Sequence, residues 1–169
     1  MKARPTPESD WQRLWFSTRQ QAWTSLAIIP SDGSVDVGRM AETLVATGRL
    51  HGEKPVNLLD AKGVQLANMR QLLDALSAMT GRGEWVIVPV DPIAENPSSV
   101  PIVQATSAAL LVVRLGESLL ASARSAIEVV GRAKFLGSIV LDARGRQRSS
   151  SLHLTLPALA FICASVFMM

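Results

Sequence analysis

The chain has 169 residues, 48% apolar and 18% charged, which suits a single globular domain burying roughly two thirds of its unfolded surface. A net charge of +3, scattered along the chain, argues against a nucleic-acid partner. A single cysteine, Cys163, excludes an internal disulfide and a cysteine-rich metal site, and His51 and His153 lie too far apart in sequence to suggest zinc.

Residues 1–10 are polar and lack the apolar core of a secretory signal, so the bulk of the chain is expected in the cytosol. Residues 11–22 read as an amphipathic helix, with Asp10 as its N-cap and Trp11, Leu14, Trp15 and Ala22 near helical spacing. Two readings stand for that face: packing on the domain's own sheet, or docking of a partner or neighbouring subunit through the tryptophan pair. Residues 23–29 form a short apolar run ending at Pro30, the pattern of a buried strand. A helix follows over 37–47, carrying Val37, Met40, Leu44 and Val45, with Gly48 as a stop.

Residues 55–60 read as a second strand. A helix over 64–80 places Val64, Leu66, Met69, Leu72, Leu73, Leu76 and Met79 in a wide stripe, stopped by Gly81. Residues 85–90 are a third apolar run, and 91–101, rich in Pro, Asn and Ser, read as a loop. A strand over 108–114 precedes a helix over 117–130, with Leu119, Leu120, Ala123, Ile127 and Val130 on one face and Gly131 at its end. Residues 135–141 close the series as a fifth strand.

Continuous apolar strands alternating with amphipathic helices predict a three-layer α/β/α domain around a mainly parallel sheet. In such sheets ligands sit at the carboxyl ends of the strands, where the strand order reverses. The chain divides into an N-terminal helical region (1–22), the α/β domain (23–143) and an apolar tail (144–169). Arg144, Arg146 and Arg148 form a short basic run, either a solvated loop or a membrane-flanking cluster. From Ser149 to Met169 there is no charge. Within this stretch Leu152 to Met169, nearly all apolar, is slightly short of the about 20 residues that span a bilayer and contains Pro157. It reads either as a membrane tail or amphiphilic anchor, or as a buried last strand or helix.

The stretch Gly33-Ser34-Val35-Asp36-Val37-Gly38-Arg39-Met40 keeps the glycine spacing of a phosphate-binding loop between a strand and a helix. Arg39 stands where that motif has its phosphate-contacting lysine, and Met40 where it has the magnesium-binding hydroxyl. Asp36 adds a negative charge where a polyphosphate would lie. The same spacing is also compatible with a tight strand-to-helix turn on another three-layer fold.

With the segments Ala105-Thr106-Ser107-Ala108-Ala109-Leu110-Leu111-Val112-Val113-Arg114-Leu115-Gly116 and Phe135-Leu136-Gly137-Ser138-Ile139-Val140-Leu141, this loop resembles the deviant Walker A ATPases. These P-loop proteins include plasmid-partition and division-site ATPases and the bacterial tyrosine kinases of capsule and exopolysaccharide synthesis. The similarity runs over roughly residues 20–143. The resemblance maps the signature lysine to Ser34, the main phosphate lysine to Arg39 and the magnesium hydroxyl to Met40. The second acidic motif is kept as Val56-Asn57-Leu58-Leu59-Asp60. The Walker B strand Val86-Ile87-Val88 runs into Pro89 where the family has Asp, with Asp91 two positions on. The tyrosine cluster of the kinases is absent, since the chain has no tyrosine.

What the resemblance implies is a vestigial nucleotide site formed by Gly33, Ser34, Gly38, Arg39, Met40 and Asp60, without catalytic or metal-binding residues. A charged hydrogen bond to phosphate contributes about 1.5–3 kcal/mol, and about 1.4 kcal/mol is tenfold in affinity. Losing both lysines and the hydroxyl therefore weakens binding by orders of magnitude, leaving room for weak ATP, ADP or anion binding through backbone amides and Arg39. The balance is against turnover. The expected role is a non-catalytic adaptor or regulator of a membrane-associated polysaccharide synthesis, export or positioning system. It would work through a protein partner or self-association, with membrane contact through residues 152–169. The alternative is a weak or atypical ATPase using Arg39 with Asp60 or Asp91.

Overall fold

A computed structural model describes residues 7–116, 118 and 120–141 of the chain. Helices and strands alternate along it as α1 (Pro7–Thr18), β1 (Ser25–Pro30), α2 (Val37–His51), β2 (Val56–Leu58), α3 (Leu66–Gly81), β3 (Trp85–Pro89), α4 (Ser99–Ala105), β4 (Ala108–Arg114), α5 (Leu120–Val130) and β5 (Phe135–Leu141). The strands form one sheet in the order β2-β3-β1-β4-β5, parallel at every pairing. β1 and β3 are buried at every position, as expected of strands covered on both faces.

The period of two along β1 sorts its residues between two cores. Leu26 and Ile28 join Leu14 and Trp15 of α1 and Met40, Ala41, Leu44 and Val45 of α2. Ala27 and Ile29 join residues of the other three helices, among them Met69, Leu72 and Leu76, Ile102 and Val103, and Ala123 and Ala126. The result is a three-layer α/β/α domain, as expected. From β1 the chain passes β3 to reach β2 through α2, whereas every later connection runs the other way across the sheet. Right-handed crossovers require helices on opposite faces when the direction reverses, and α2 does lie opposite α3, α4 and α5.

α1 begins four residues before the expected start, at Pro7, whose fixed φ suits a first helical turn. Asp10 therefore lies inside the helix, 3.8 Å from Arg13, and is not its cap. Of its tryptophans, Trp15 is 1% exposed and belongs to the domain's own core, with Trp11 packed partly against it. Trp15, Trp23 and Trp85 meet edge-on or tilted, with ring centroids 5.7–6.1 Å apart. The Arg19 guanidinium lies 3.8 Å from the Trp85 ring centroid and donates to the Trp23 carbonyl. This cluster fastens α1 to the amino-terminal edge of the sheet.

Gly48 does not stop α2, which runs on to His51. A Cβ at Gly48 would stand 2.6 Å from the Trp15 ring, so the glycine serves the close passage of α1 over α2. Gly81 likewise falls within α3, and the chain turns at Gly83, with φ of 80°. The stripe of α3 is narrower than expected: Met69, Leu72 and Leu76 are buried, but Leu66 is 76% exposed. The expected loop over 91–101 contains the start of α4, a short helix with Pro101 in its first turn and Ile102 and Val103 buried. α5 buries Ala123, Ala126 and Val130 while Leu120 is exposed, and Gly131 ends it with φ of 93°. Leu119, the basic run at Arg144–Arg148, His153, Cys163 and the whole tail over 149–169 lie outside the described residues.

Among the described residues, no helix is long and apolar enough to cross a membrane.

Candidate functional site

The loop over 31–36 leaves the carboxyl end of β1, where α2 departs to one face of the sheet and the connections of both neighbouring strands go to the other. Divergence of this kind opens the usual ligand crevice of an α/β sheet. The first amides of α2 face it, and a helix N-terminus with free amides is an anion site.

Here those amides are occupied by the protein. Asp36 is the N-cap of α2, in extended conformation, and its Oδ1 accepts from the amides of Gly38 at 3.0 Å and Arg39 at 3.4 Å. Asp32 Oδ1 accepts the Ser34 amide at 2.9 Å, and Glu95 Oε1, from the loop after β3, accepts the Gly33 amide at 2.9 Å. Four amides of the loop and first turn thus point at three carboxylates of the same chain. A phosphate arriving at this loop would compete with those hydrogen bonds and meet three negative charges.

Asp32 is tied furthest into the fold. Its Oδ2 lies 3.1 Å from Ser31 Oγ, which is 2.8 Å from Ser118 Oγ beyond β4. The carboxyl is held down to about 2, most strongly by the neighbouring Ser34 hydroxyl, with Ser118, Ser31 and the Ser34 amide adding to it against the opposing cost of burial. The Ser34 hydroxyl nevertheless completes no hydrogen bond of full geometry, so its effect is that of a nearby dipole.

The remaining expected residues are placed as follows. Arg39 is exposed on the first turn of α2. Met40 is 8% exposed and belongs to the core cluster that holds Leu44, Val45 and the loop's own Val35. Gly38 is buried, and a side chain there would strike the Lys62 ammonium and approach Asp36 Oδ1. Asp60 is exposed and accepts the Lys62 amide at 3.0 Å, with Lys62 Nζ 4.0 Å from its other oxygen. Asp91 accepts from the Gly63 amide at 2.7 Å and from Asn96 Nδ2 at 2.8 Å, which ties the loop after β3 to the turn before α3. Asp60 and Asp91 therefore shape backbone turns. Pro89 is buried within β3, beside Ile28 of β1.

The sequence reading singled out Gly33, Ser34, Asp36, Gly38 and Arg39, but missed Asp32, one residue before the motif, and also Glu95 and Lys62. Glu95 reaches the loop, and Lys62 the first turn of α2 at Gly38, from other connections, and neither carries a motif. Among the described residues, no group of three or more His, Cys, Asp or Glu side chains is arranged to hold a metal ion.

No protein-family model matches the chain, and no curated protein matches it. Among solved structures it is similar to the crystal structure of the chimerical protein CapA2B2, with a TM-score of 0.65 and 13% sequence identity, over 83% of this chain and 87% of that one. The two share a fold.

Proposed function

We propose that this chain is a non-catalytic, P-loop-like adaptor or regulator, acting in a membrane-associated polysaccharide synthesis, export or positioning system. The observation that carries the reading is the occupied loop: carboxylates of Asp32, Asp36 and Glu95 hold the four amides that would cradle a phosphate. Phosphoryl transfer depends on positioning and charge neutralisation. The loop supplies negative charge instead, with Met40 in the core where the hydroxyl for magnesium would stand. A fold kept without that chemistry works through its surfaces, and the reading includes a protein partner or a second copy of the chain.

The choice of system rests on the resemblance of the loop and of the segments 105–116 and 135–141 to the capsule and exopolysaccharide kinases. The fold shared with CapA2B2 is compatible with it. Contact with a membrane through the apolar stretch 152–169 belongs to the same proposal. Phosphate release from ATP and magnesium by the purified full chain is the direct test. The expected rate is background, unchanged by Arg39→Ala. A rate above background that Arg39→Ala abolishes would replace this reading with that of an atypical ATPase.

A further inference from the structure

Every strand of an all-parallel sheet begins at the same end of the domain, so the segments leading into β1–β5 lie side by side there. With neighbouring strands about 4.8 Å apart, that end is about 20 Å wide. The segments are residues 19–24, 52–55, 82–84, 106–107 and 131–134, joined by the last turns of the helices before them. The described residues here include Arg19, Arg49, Lys54, Arg82, Arg132 and Lys134 against Glu53 and Glu84, an excess of four positive charges. Glu128, in the last turn of α5, is ion-paired with Arg124. The opposite end has the other sign. Its loops after β1, β2 and β3 carry Asp32, Asp36, Asp60, Asp91 and Glu95 against Lys62 and, in the first turn of α2, Arg39.

Three of the cations at the strand-start end are held by neutral partners, which orient them without cancelling their charge. The Arg19 guanidinium lies on the Trp85 ring and donates to the Trp23 carbonyl. Arg49 donates to the Val56 carbonyl at 2.9 Å and Lys134 to the Gln104 carbonyl at 2.8 Å. Lys54 and Arg132 are exposed, and Arg82 pairs with Glu84. The same end exposes large apolar side chains in the last turns of α1, α2 and α5: Phe16 at 54%, Leu50 at 77% and Val129 at 49%.

The cations come from connections on both faces of the sheet and spread over the whole end, which suits a broad anionic surface rather than a small ligand. Cations interleaved with exposed apolar side chains match a bilayer, where charges meet the headgroups and apolar tips enter the boundary beneath them. A nucleic acid would answer the charge but leave Leu50 and Val129 nothing to bury against.

We propose that the strand-start end of this domain is a surface for anionic phospholipid bilayers, with Lys54, Arg132 and Lys134 against the headgroups and Phe16, Leu50 and Val129 at their boundary. This inference uses neither the loop at 31–36 nor the apolar stretch 152–169.

Co-sedimentation of the full chain with vesicles tests it, comparing phosphatidylcholine alone with equal parts of phosphatidylcholine and phosphatidylglycerol. Partitioning is expected to be at least about tenfold stronger on the anionic vesicles and to fall as salt screens the charges. Lys54→Glu and Arg132→Glu should each weaken it roughly tenfold, because a cation near the lipid surface becomes a repelled anion. Leu50→Ser should weaken it without changing the charge. Arg70→Glu makes the same change in net charge on the exposed side of α3, away from this end, and should leave partitioning within about twofold. Equal partitioning on the two kinds of vesicle would overturn the proposal, as would an Arg70→Glu effect as large as those of Lys54→Glu and Arg132→Glu. Partitioning that Lys54→Glu, Arg132→Glu and Leu50→Ser all leave unchanged would overturn it too, and would assign the lipid contact to residues 152–169. Binding of a duplex oligonucleotide at the same salt, without binding to either vesicle, would replace the bilayer by a nucleic acid.

Discussion

At the start of α2, the amides of Gly38 and Arg39 need an acceptor, and the Asp36 carboxylate supplies it from the adjoining residue. Replacing a capping Asp by Ala costs about 1 kcal/mol, whereas Asn caps equally well. Urea denaturation at neutral pH should therefore show Asp36→Ala destabilised by about that amount and Asp36→Asn nearly unchanged. Asp32 sets a pH dependence. Its folded pKa, about 2, lies below the ordinary 3.8, so the stability it contributes is present above the ordinary value. That contribution is lost as pH falls from about 4 towards about 2. Asp32→Asn should flatten the fall in stability over this window relative to the unaltered chain; equal slopes would show that Asp32 is not what titrates. Ser34 and Pro89 entered the reading only through a family resemblance, while Gly33, Asp36, Gly38, Arg39 and Met40 were legible from motif spacing. Glu95 and Lys62 were not, because tertiary folding brings their loops to β1 and nothing local marks them.

Among the elements, α2 shows where local rules give way to packing. Gly48 has the residue type of a helix stop, yet the helix continues because a smooth surface is needed under Trp15. Alanine is favoured over glycine within a helix by about 1 kcal/mol. The clash with the Trp15 ring outweighs this, since overpacking a well-filled core costs about 1–3 kcal/mol. Gly48→Ala should lower the thermal midpoint despite its better helix propensity; a raised midpoint would mean that α1 moves aside freely. α4 was hidden for the opposite reason. Its seven residues carry β-branched side chains and a proline, and burial of Ile102 and Val103 decides their conformation. Strands β1, β3, β4 and β5 were legible because burial on both faces leaves continuous apolar runs. Their order in the sheet was not, since it depends on which way each crossover turns.

For the molecule as a whole, the loops at the carboxyl edge of the sheet are tied to one another by side-chain hydrogen bonds. Glu95 joins the loop after β3 to the loop after β1, Asp91 joins it to the turn before α3, and Ser31 with Ser118 joins β1 to the segment after β4. The three-layer fold was legible in the alternation of elements, while the links between its loops depend on contacts between residues up to 87 positions apart. The claim that the loop is occupied by its own carboxylates is tested most directly by titrating the full chain with ATP and magnesium while following its amide resonances. The amides of Gly33, Ser34, Gly38 and Arg39 are predicted to show no saturable shift below about 1 mM nucleotide, a limit of roughly 4 kcal/mol in binding free energy. Saturation of those four amides at micromolar ATP would contradict the account.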